Sequence, residues 1–387
     1  MDYPIYLDNA ASTRPDPAVV EAMRLSLTER WGNPSSIHEV GTRARRRLDE
    51  ARHAVAQMAG CQDDEVFFTS GGTEADNWAL IGVLDFWKGE KSHVVTVATE
   101  HHAVLDTVRW VEKRGHAVTV LPVDREGRVD PDEVKRALRA DTAIVSVMHV
   151  NNELGTIQDV AAIGALCRER EVTFHTDAVQ SYGKIPFSFS ELNADLMSIS
   201  GHKIYGPKGV GALIIRRGVR LNPRFVGGSQ ERGLRTGTEN APGIVGFGTA
   251  AELSTSLLST EMSALQAMRD GLESRILNEI PDVQINGSRE YRSPGLLNVS
   301  FLGCEGEALL IALDRRGFCV STGSACSAGA VGASHVLMAL GLGVMVAQAA
   351  IRFSFGRFNQ QDEVDELMNV LPAIVAKQRA TSTVMVK

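Results

Sequence analysis

The chain has 387 residues, 44% of them apolar and 22% charged, and carries a formal net charge of −7. That length is enough for two or three sizeable cores, and the composition is that of an ordinary globular protein. The negative balance excludes the electrostatic footprint of a nucleic-acid or anionic-membrane binder, so no direct partner of either kind is expected.

Read from the start, Met1-Asp2-Tyr3-Pro4-Ile5 has no basic region followed by an apolar core, so no signal peptide is expected. No apolar run approaches the length of a membrane span. Residues 5–14 predict a short strand running into a loop of small residues. Such a loop lets backbone approach a ligand closely, and it suits a plain turn equally well. Pro17 to about Arg30 has helical spacing, and Gly32-Asn33-Pro34-Ser35-Ser36 breaks the chain. His38 to Met58 predicts a long helix rich in Ala and Arg, whose basic run Arg43 to Arg47 reads as a solvated face beside Asp49 and Glu50.

Glu65 to Ser70 predicts a strand that runs into Gly71-Gly72-Thr73-Glu74-Ala75-Asp76-Asn77, the opening of a helix. Strand, glycines and helix N-terminus make a phosphate cradle, because the amides point outward and the dipole favours an anion. The same turn without a phosphate is equally common. Strands at Val94–Ala98, Ala117–Leu121 and Ala143–Met148 then alternate with helices at Ala103–Arg114, Pro131–Arg139 (capped by Asp130) and Val160–Arg170. Further strands follow at Val172–Gln180, Asp195–Ile199 and Gly209–Ile215. Gly227 to Thr238 is a glycine-dense loop that needs a partner chain or a ligand to order it. A long helix, about Ala251 to Glu279, carries a domain boundary near residue 255. Beyond it the pattern is α+β: strands at Val283–Ile285 and Leu296–Phe301, a helix at Gly306–Arg315, and a strand over Ile351–Phe358 with Arg352 and Ser354 opposite the aromatics.

Apolar strands separated by helices indicate an α/β fold with a mostly parallel sheet covered on both faces. Ligands of such sheets bind outside the carboxyl ends of the strands. His101, Asn152, Asp177 and Lys203 all fall just after predicted strand ends.

Two chemical centres stand out. In Ser200-Gly201-His202-Lys203, a lysine sits just past a strand end among small residues. Burial there disfavours the ammonium, and a neutral amine makes a Schiff base. Taken alone, Lys203 reads more readily as a surface lysine in a turn. Asp177, ending the preceding strand, shifts that balance. A Schiff-base lysine with an aspartate for a pyridinium nitrogen is the arrangement of pyridoxal phosphate (PLP). The second centre is Ser321 to Ala333, thirteen residues with no bulky anchor except Val331. Cys326 within it is expected to be exposed and movable, able to act as a nucleophile and then swing to a partner. Five cysteines without CxxC spacing argue against a disulfide framework or a zinc site and suit a reducing cytoplasm. Cys61, Cys167, Cys304 and Cys319 read as small buried hydrophobes. The planar fork of Arg352 suits a substrate carboxylate, and a surface strand arginine is as good a reading in isolation.

Together these residues resemble a cysteine desulfurase of the iron–sulfur-cluster and nitrogen-fixation branch, in the class V group of fold-type-I PLP enzymes. The resemblance covers about residues 5–375. It runs through Tyr6-Leu7-Asp8-Asn9-Ala10-Ala11, Gly32-Asn33-Pro34-Ser35-Ser36, Thr69-Ser70-Gly71-Gly72-Thr73-Glu74 and Thr99-Glu100-His101. It continues in His149-Val150-Asn151-Asn152-Glu153, His175-Thr176-Asp177-Ala178-Val179-Gln180, Ser200-Gly201-His202-Lys203, Arg235-Thr236-Gly237-Thr238, Gly323-Ser324-Ala325-Cys326 and the Arg352 strand.

The resemblance implies a PLP-dependent transferase with a mostly parallel seven-stranded sheet in a large domain, residues 15–255. Residues 1–14 and 256–387 would form a smaller α+β domain carrying the cysteine loop. Lys203 would hold PLP, Asp177 would pair with its ring nitrogen, His101 would stack on the ring, and Gln180 would reach the ring hydroxyl. Gly72, Thr73, Ser200 and His202 would bind the phosphate, with Thr238 supplied by the other subunit of a homodimer. Asn152, Arg352, Asn33 and Ala11 would hold the substrate, L-cysteine. Cys326 would take its sulfur as a persulfide, leaving alanine, and pass it to an acceptor protein. No resident metal is expected, Cys326 being at most a transient cluster ligand.

Two stretches depart from the pattern. Glu239-Asn240 lies where relatives vary, and the tail from Ala380 to Lys387 does not resemble the extension that docks a cluster scaffold. The acceptor pathway is therefore open, nucleic-acid thio-modification and nitrogenase maturation included. Rival readings are a selenocysteine lyase, or another aminotransferase or lyase of the same fold that needs no thiol. A non-haem iron site built from His175, Asp177 and His101, and a silent sulfur-pathway partner, are more distant ones.

Overall fold

The structure, a computed structural model, describes residues 4–323 and 333–381. The chain opens with strand β1 (Ile5–Tyr6) and helices α1 (Pro17–Thr28) and α2 (Glu39–Ala59). Next come β2 (Val66–Thr69), α3 (Gly72–Trp87), β3 (His93–Val97), α4 (His102–Glu112) and β4 (Ala117–Leu121). Then follow α5 (Pro131–Ala137), β5 (Thr142–Ser146), α6 (Val160–Glu169), β6 (Thr173–Asp177), β7 (Leu196–Ser200) and β8 (Gly211–Ile215). After α7 (Ala241–Glu279) come β9 (Val283–Asn286), β10 (Leu296–Phe301), α8 (Gly306–Asp314) and β11 (Phe318–Cys319). Helices α9 (His335–Ala339) and α10 (Val344–Gln348), strand β12 (Ala350–Ser354) and helix α11 (Gln361–Thr381) complete the order.

Seven strands form the central sheet in the order β2-β8-β7-β6-β5-β3-β4. Only β8 runs against its neighbours, pairing antiparallel with both β2 and β7. The other six therefore point the same way, and their carboxyl ends share one edge. Neighbouring residues along a strand face opposite sides. Val95, Val145, Met197 and Ile214 join one core with α1, α2 and the start of α7. Val94, Ile144, Leu196 and Leu213 join another with α3 and α4.

A third core lies under the antiparallel sheet β12-β10-β9. It gathers the far half of α7 (Leu265, Leu272, Ile276), α8, α11 and Leu7. Ile351 and Phe353 point into it, which turns Arg352 to the opposite face as the alternation predicts. Strand β1 pairs in parallel with β11, which ties the N-terminal segment to the C-terminal part of the chain.

Three expectations need correction. Helix α7 starts at Ala241, ten residues before the predicted Ala251. The Asn240 side chain caps it by accepting from the Gly243 amide at 3.2 Å. Its glycines obscured the helical pattern, yet two of them are needed for packing: a Cβ at Gly248 would lie 2.5 Å from Ala51 Cα, and one at Gly246 would lie 2.7 Å from Met23 Cγ. The strand predicted over 351–358 ends at Ser354, because Gly356 turns around the Asn359 side chain, which accepts its amide at 2.7 Å. The 227–238 loop is anchored within its own chain. Glu231 is 6% exposed, meets Arg52 at 2.6 and 2.8 Å, and accepts the Phe68 amide at 2.9 Å.

Candidate active site

The shared strand edge opens into a cavity of about 320 Å³. Lys203, three residues past β7, lines it. The lysine is half-buried, not a surface residue of a turn. Its Nζ donates to the carbonyls of Ala10 (2.6 Å) and Ala11 (2.8 Å). Thr13 fixes the turn: its hydroxyl donates to the His202 carbonyl at 3.0 Å and accepts the Tyr205 amide at 2.7 Å. Ala10 and Ala11 thus form part of the cavity wall.

Asp177 ends β6 on the cavity floor, 5% exposed, and accepts the Val179 amide at 2.8 Å. Burial raises its carboxyl to about 6, against the opposing pull of that amide and of Lys203. Asp76 on α3 lies in the same cavity, 1% exposed, with Oδ1 lacking a hydrogen-bond partner. Burial and the nearby Asp177 push it well above the usual carboxylate range.

His101 caps α4, its Nδ1 accepting the Ala103 amide at 3.1 Å. That bond leaves the hydrogen on Nε2. Burial first, then the Lys203 charge, lower its pKa to about 4, so the imidazole facing the cavity is neutral. Gln180 is 5% exposed and donates from Nε2 to the Ala10 carbonyl at 2.8 Å.

One end of the cavity is built for an anion. Gly72 and Thr73 are the first residues of the 16-residue helix α3. Ser200, ending β7, is 2% exposed, and its hydroxyl has no partner. His202 joins them, its ring 3.3 Å from the Ser12 hydroxyl. Arg352 also lines the cavity and is 2% exposed; it donates to Asp8 at 2.6 Å and to the Asn152 carbonyl at 2.9 Å, while its Nε lacks a partner. Asn151 shapes that turn, its side-chain oxygen accepting the amides of Glu153 and Leu154, both at 2.9 Å. The buried Ser200 hydroxyl and the buried Arg352 Nε, both without a partner, belong to residues that line the cavity and fit a ligand that carries two anionic groups.

The cavity brings together Ala11, Gly72, Thr73, His101, Asn152, Asp177, Gln180, Ser200, His202, Lys203 and Arg352. Asn33 and Thr238 are exposed and do not line it. Cys326 lies outside the described residues, as does the tail beyond Thr381. His175 does not join His101 and Asp177 in the cavity: its ring nitrogens meet the hydroxyls of Ser146 (2.8 Å) and Ser198 (2.9 Å) within the sheet. Cys167 and Cys304 are buried, and Cys61 and Cys319 partly so.

Sequence reasoning missed Asp76, Glu153, His102 and His335, which also line the cavity. Asp76 carries a signal, an acid among Ala75, Trp78, Ala79 and Leu80. Glu153 adjoins the singled-out Asn152, and nothing in the spacing marks the two histidines.

The chain belongs to the family described as "Aminotransferase class-V", whose profile matches residues 5–367. Within it, the chain is similar to "Cysteine desulfurase IscS" of Dictyoglomus turgidum, 46% identical over 378 residues, covering 98% of this chain and 96% of that one. Among solved structures it is similar to a "NIFS-like protein", with a TM-score of 0.91 and 38% identity, covering 97% of this chain and 100% of that one. It is also similar to "SspA in complex with cysteine", with a TM-score of 0.82 and 35% identity, covering 92% and 100%. The fold is the α/β fold of these PLP enzymes, as expected.

Proposed function

We propose that this chain is a PLP-dependent cysteine desulfurase that converts L-cysteine to L-alanine and holds the sulfur as a persulfide on Cys326. The observation that carries the reading is one cavity holding Lys203 and Asp177, with Ser200, whose hydroxyl has no partner, and Arg352, whose Nε has none, also in its lining. When bound, the cofactor supplies an electron sink for the substrate carbon. The chain's own residues do the rest. Lys203 would hold the cofactor covalently and move protons, and Asp177 would face the ring nitrogen. Neutral His101 would stack on the ring without adding charge, and Gln180 would donate to the ring hydroxyl. Ser200, His202, Gly72 and Thr73 take the phosphate. Arg352 and Asn152 take the substrate carboxylate, close to Ala11.

The Cys326 thiolate attacks the substrate sulfur. An S–S bond forms, the C–S bond breaks, and the carbon keeps the electron pair and gains a proton to become alanine. The sulfur then passes to an acceptor protein.

Thr238, exposed here, fits a homodimer in which it serves the site of the other subunit. The chain divides into a unit of residues 15–255 and one of residues 1–14 with 256–387, and the protein works in the cytoplasm. Among the described residues no helix is long and apolar enough to cross a membrane.

Lys203→Ala tests the assignment. The reading expects this variant to lose the visible Schiff-base absorbance entirely. A variant that keeps the band contradicts it.

A further inference from the structure

A second cavity, of about 30 Å³, lies behind the wall of the first. The two share Ala10 and Gln180 in their linings, and Lys184 lines only the second. From there Lys184 Nζ donates to Gln180 Oε1 at 2.6 Å. Gln180 Nε2 donates to the Ala10 carbonyl at 2.8 Å, and that carbonyl also accepts Lys203 Nζ at 2.6 Å. Lys184, Gln180, Ala10 and Lys203 thus form one hydrogen-bonded chain through the cavity wall.

A carboxamide fits a site with its nitrogen and oxygen exchanged almost equally well. An ammonium removes that choice, because it has donors only and takes the oxygen. With its oxygen turned back to Lys184, the Gln180 amide keeps two N–H groups forward. One meets Ala10, and the other is left for a ligand of the active-site cavity, which Gln180 lines.

We infer that Lys184 is a positioning residue that acts through Gln180, fixing an N–H donor toward the oxygen on the cofactor ring. The inference rests on the PLP reading of the cavity. Lys184 occupies a costly place for this role. Its ammonium donates to a neutral amide, and the Lys203 and Arg352 cations act on it from the turn after β7 and from β12. Glu261 and Tyr205 line the same cavity, but Glu261 is paired with Arg357. Burial, then Lys203 and Arg352, lower the Lys184 pKa to about 7, so the ammonium that fixes the amide is held below about that pH.

A donor on the ring oxygen stabilises its anion and so weakens the neighbouring Schiff-base proton. Losing the donor moves the Schiff-base titration to higher pH. The test is a pH titration of the visible absorbance of the full-length holoenzyme, with cofactor dissociation measured in parallel. Lys184→Met is expected to raise the midpoint by about half a pH unit or more, the size of one neutral hydrogen bond. Gln180→Leu should raise it equally, and the double variant no further than either. Lys184→Arg, which keeps charge and donors, should hold the wild-type midpoint. If Lys184→Met does not fold, Lys184→Gln, one atom too short to reach the amide, carries the same expectation. An unchanged midpoint, or shifts that add in the double variant, overturns the inference while leaving the PLP reading intact. A wild-type protein with no Schiff-base band overturns both.

Discussion

Asp177 shows how a single residue trades stability for chemistry. Burial raises its carboxyl from 3.8 to about 6. Below about pH 4 the group is protonated in folded and unfolded chains alike and costs nothing. Between pH 4 and 6 the unfolded chain releases the proton while the folded chain keeps it, so stability falls as pH rises. The loss is on the order of 3 kcal/mol and is complete above pH 6. Asp177→Asn removes this dependence. The cofactor-free variant is expected to unfold at a higher temperature than wild type at pH 7, and at the same temperature near pH 3.5. A variant no more stable at pH 7 contradicts the account. Lys203, Asp177 and His101 were legible in the sequence because each follows a strand end, where a parallel sheet presents its ligands. Asp76 was not, because its importance comes from a neighbour far away in sequence. The partner of Lys184 was hidden for a related reason: it lies only four residues away, but what that contact faces depends on the fold.

At the scale of elements, the periodicity of strands and helices placed most of the large sheet. The reversal of β8 was not legible, since a buried strand reads the same in either direction. The start of α7 was hidden by glycines that close contact with α1 and α2 requires. The 227–238 loop read as needing an external partner because its anchor, Arg52, lies on a helix far earlier in the chain. Removing that anchor tests its weight. Glu231→Ala leaves the Arg52 guanidinium, 8% exposed, without its carboxylate. A buried charge stripped of its partner costs about 3–5 kcal/mol. Urea unfolding is expected to show that loss, and replacing Arg52 by Met in the same chain should recover part of it. A loss below about 1 kcal/mol, the range of an exposed pair, contradicts the anchoring role.

Across the described residues, three large cores divide the work, and a smaller fourth packs Leu154 against α9 and α10. Two cover the faces of the seven-stranded sheet and hold its carboxyl edge open. The third positions β12, so that Arg352 reaches the cavity from the part of the chain that also carries Cys326. The central claim is that sulfur leaves the substrate for Cys326 in this cavity. The most direct measurement is sulfide and alanine formed from L-cysteine with a reductant, run beside Cys326→Ala. The account predicts equal amounts of both products from the wild type, and from the variant an intact visible band with no sulfide. Full sulfide production by Cys326→Ala contradicts it.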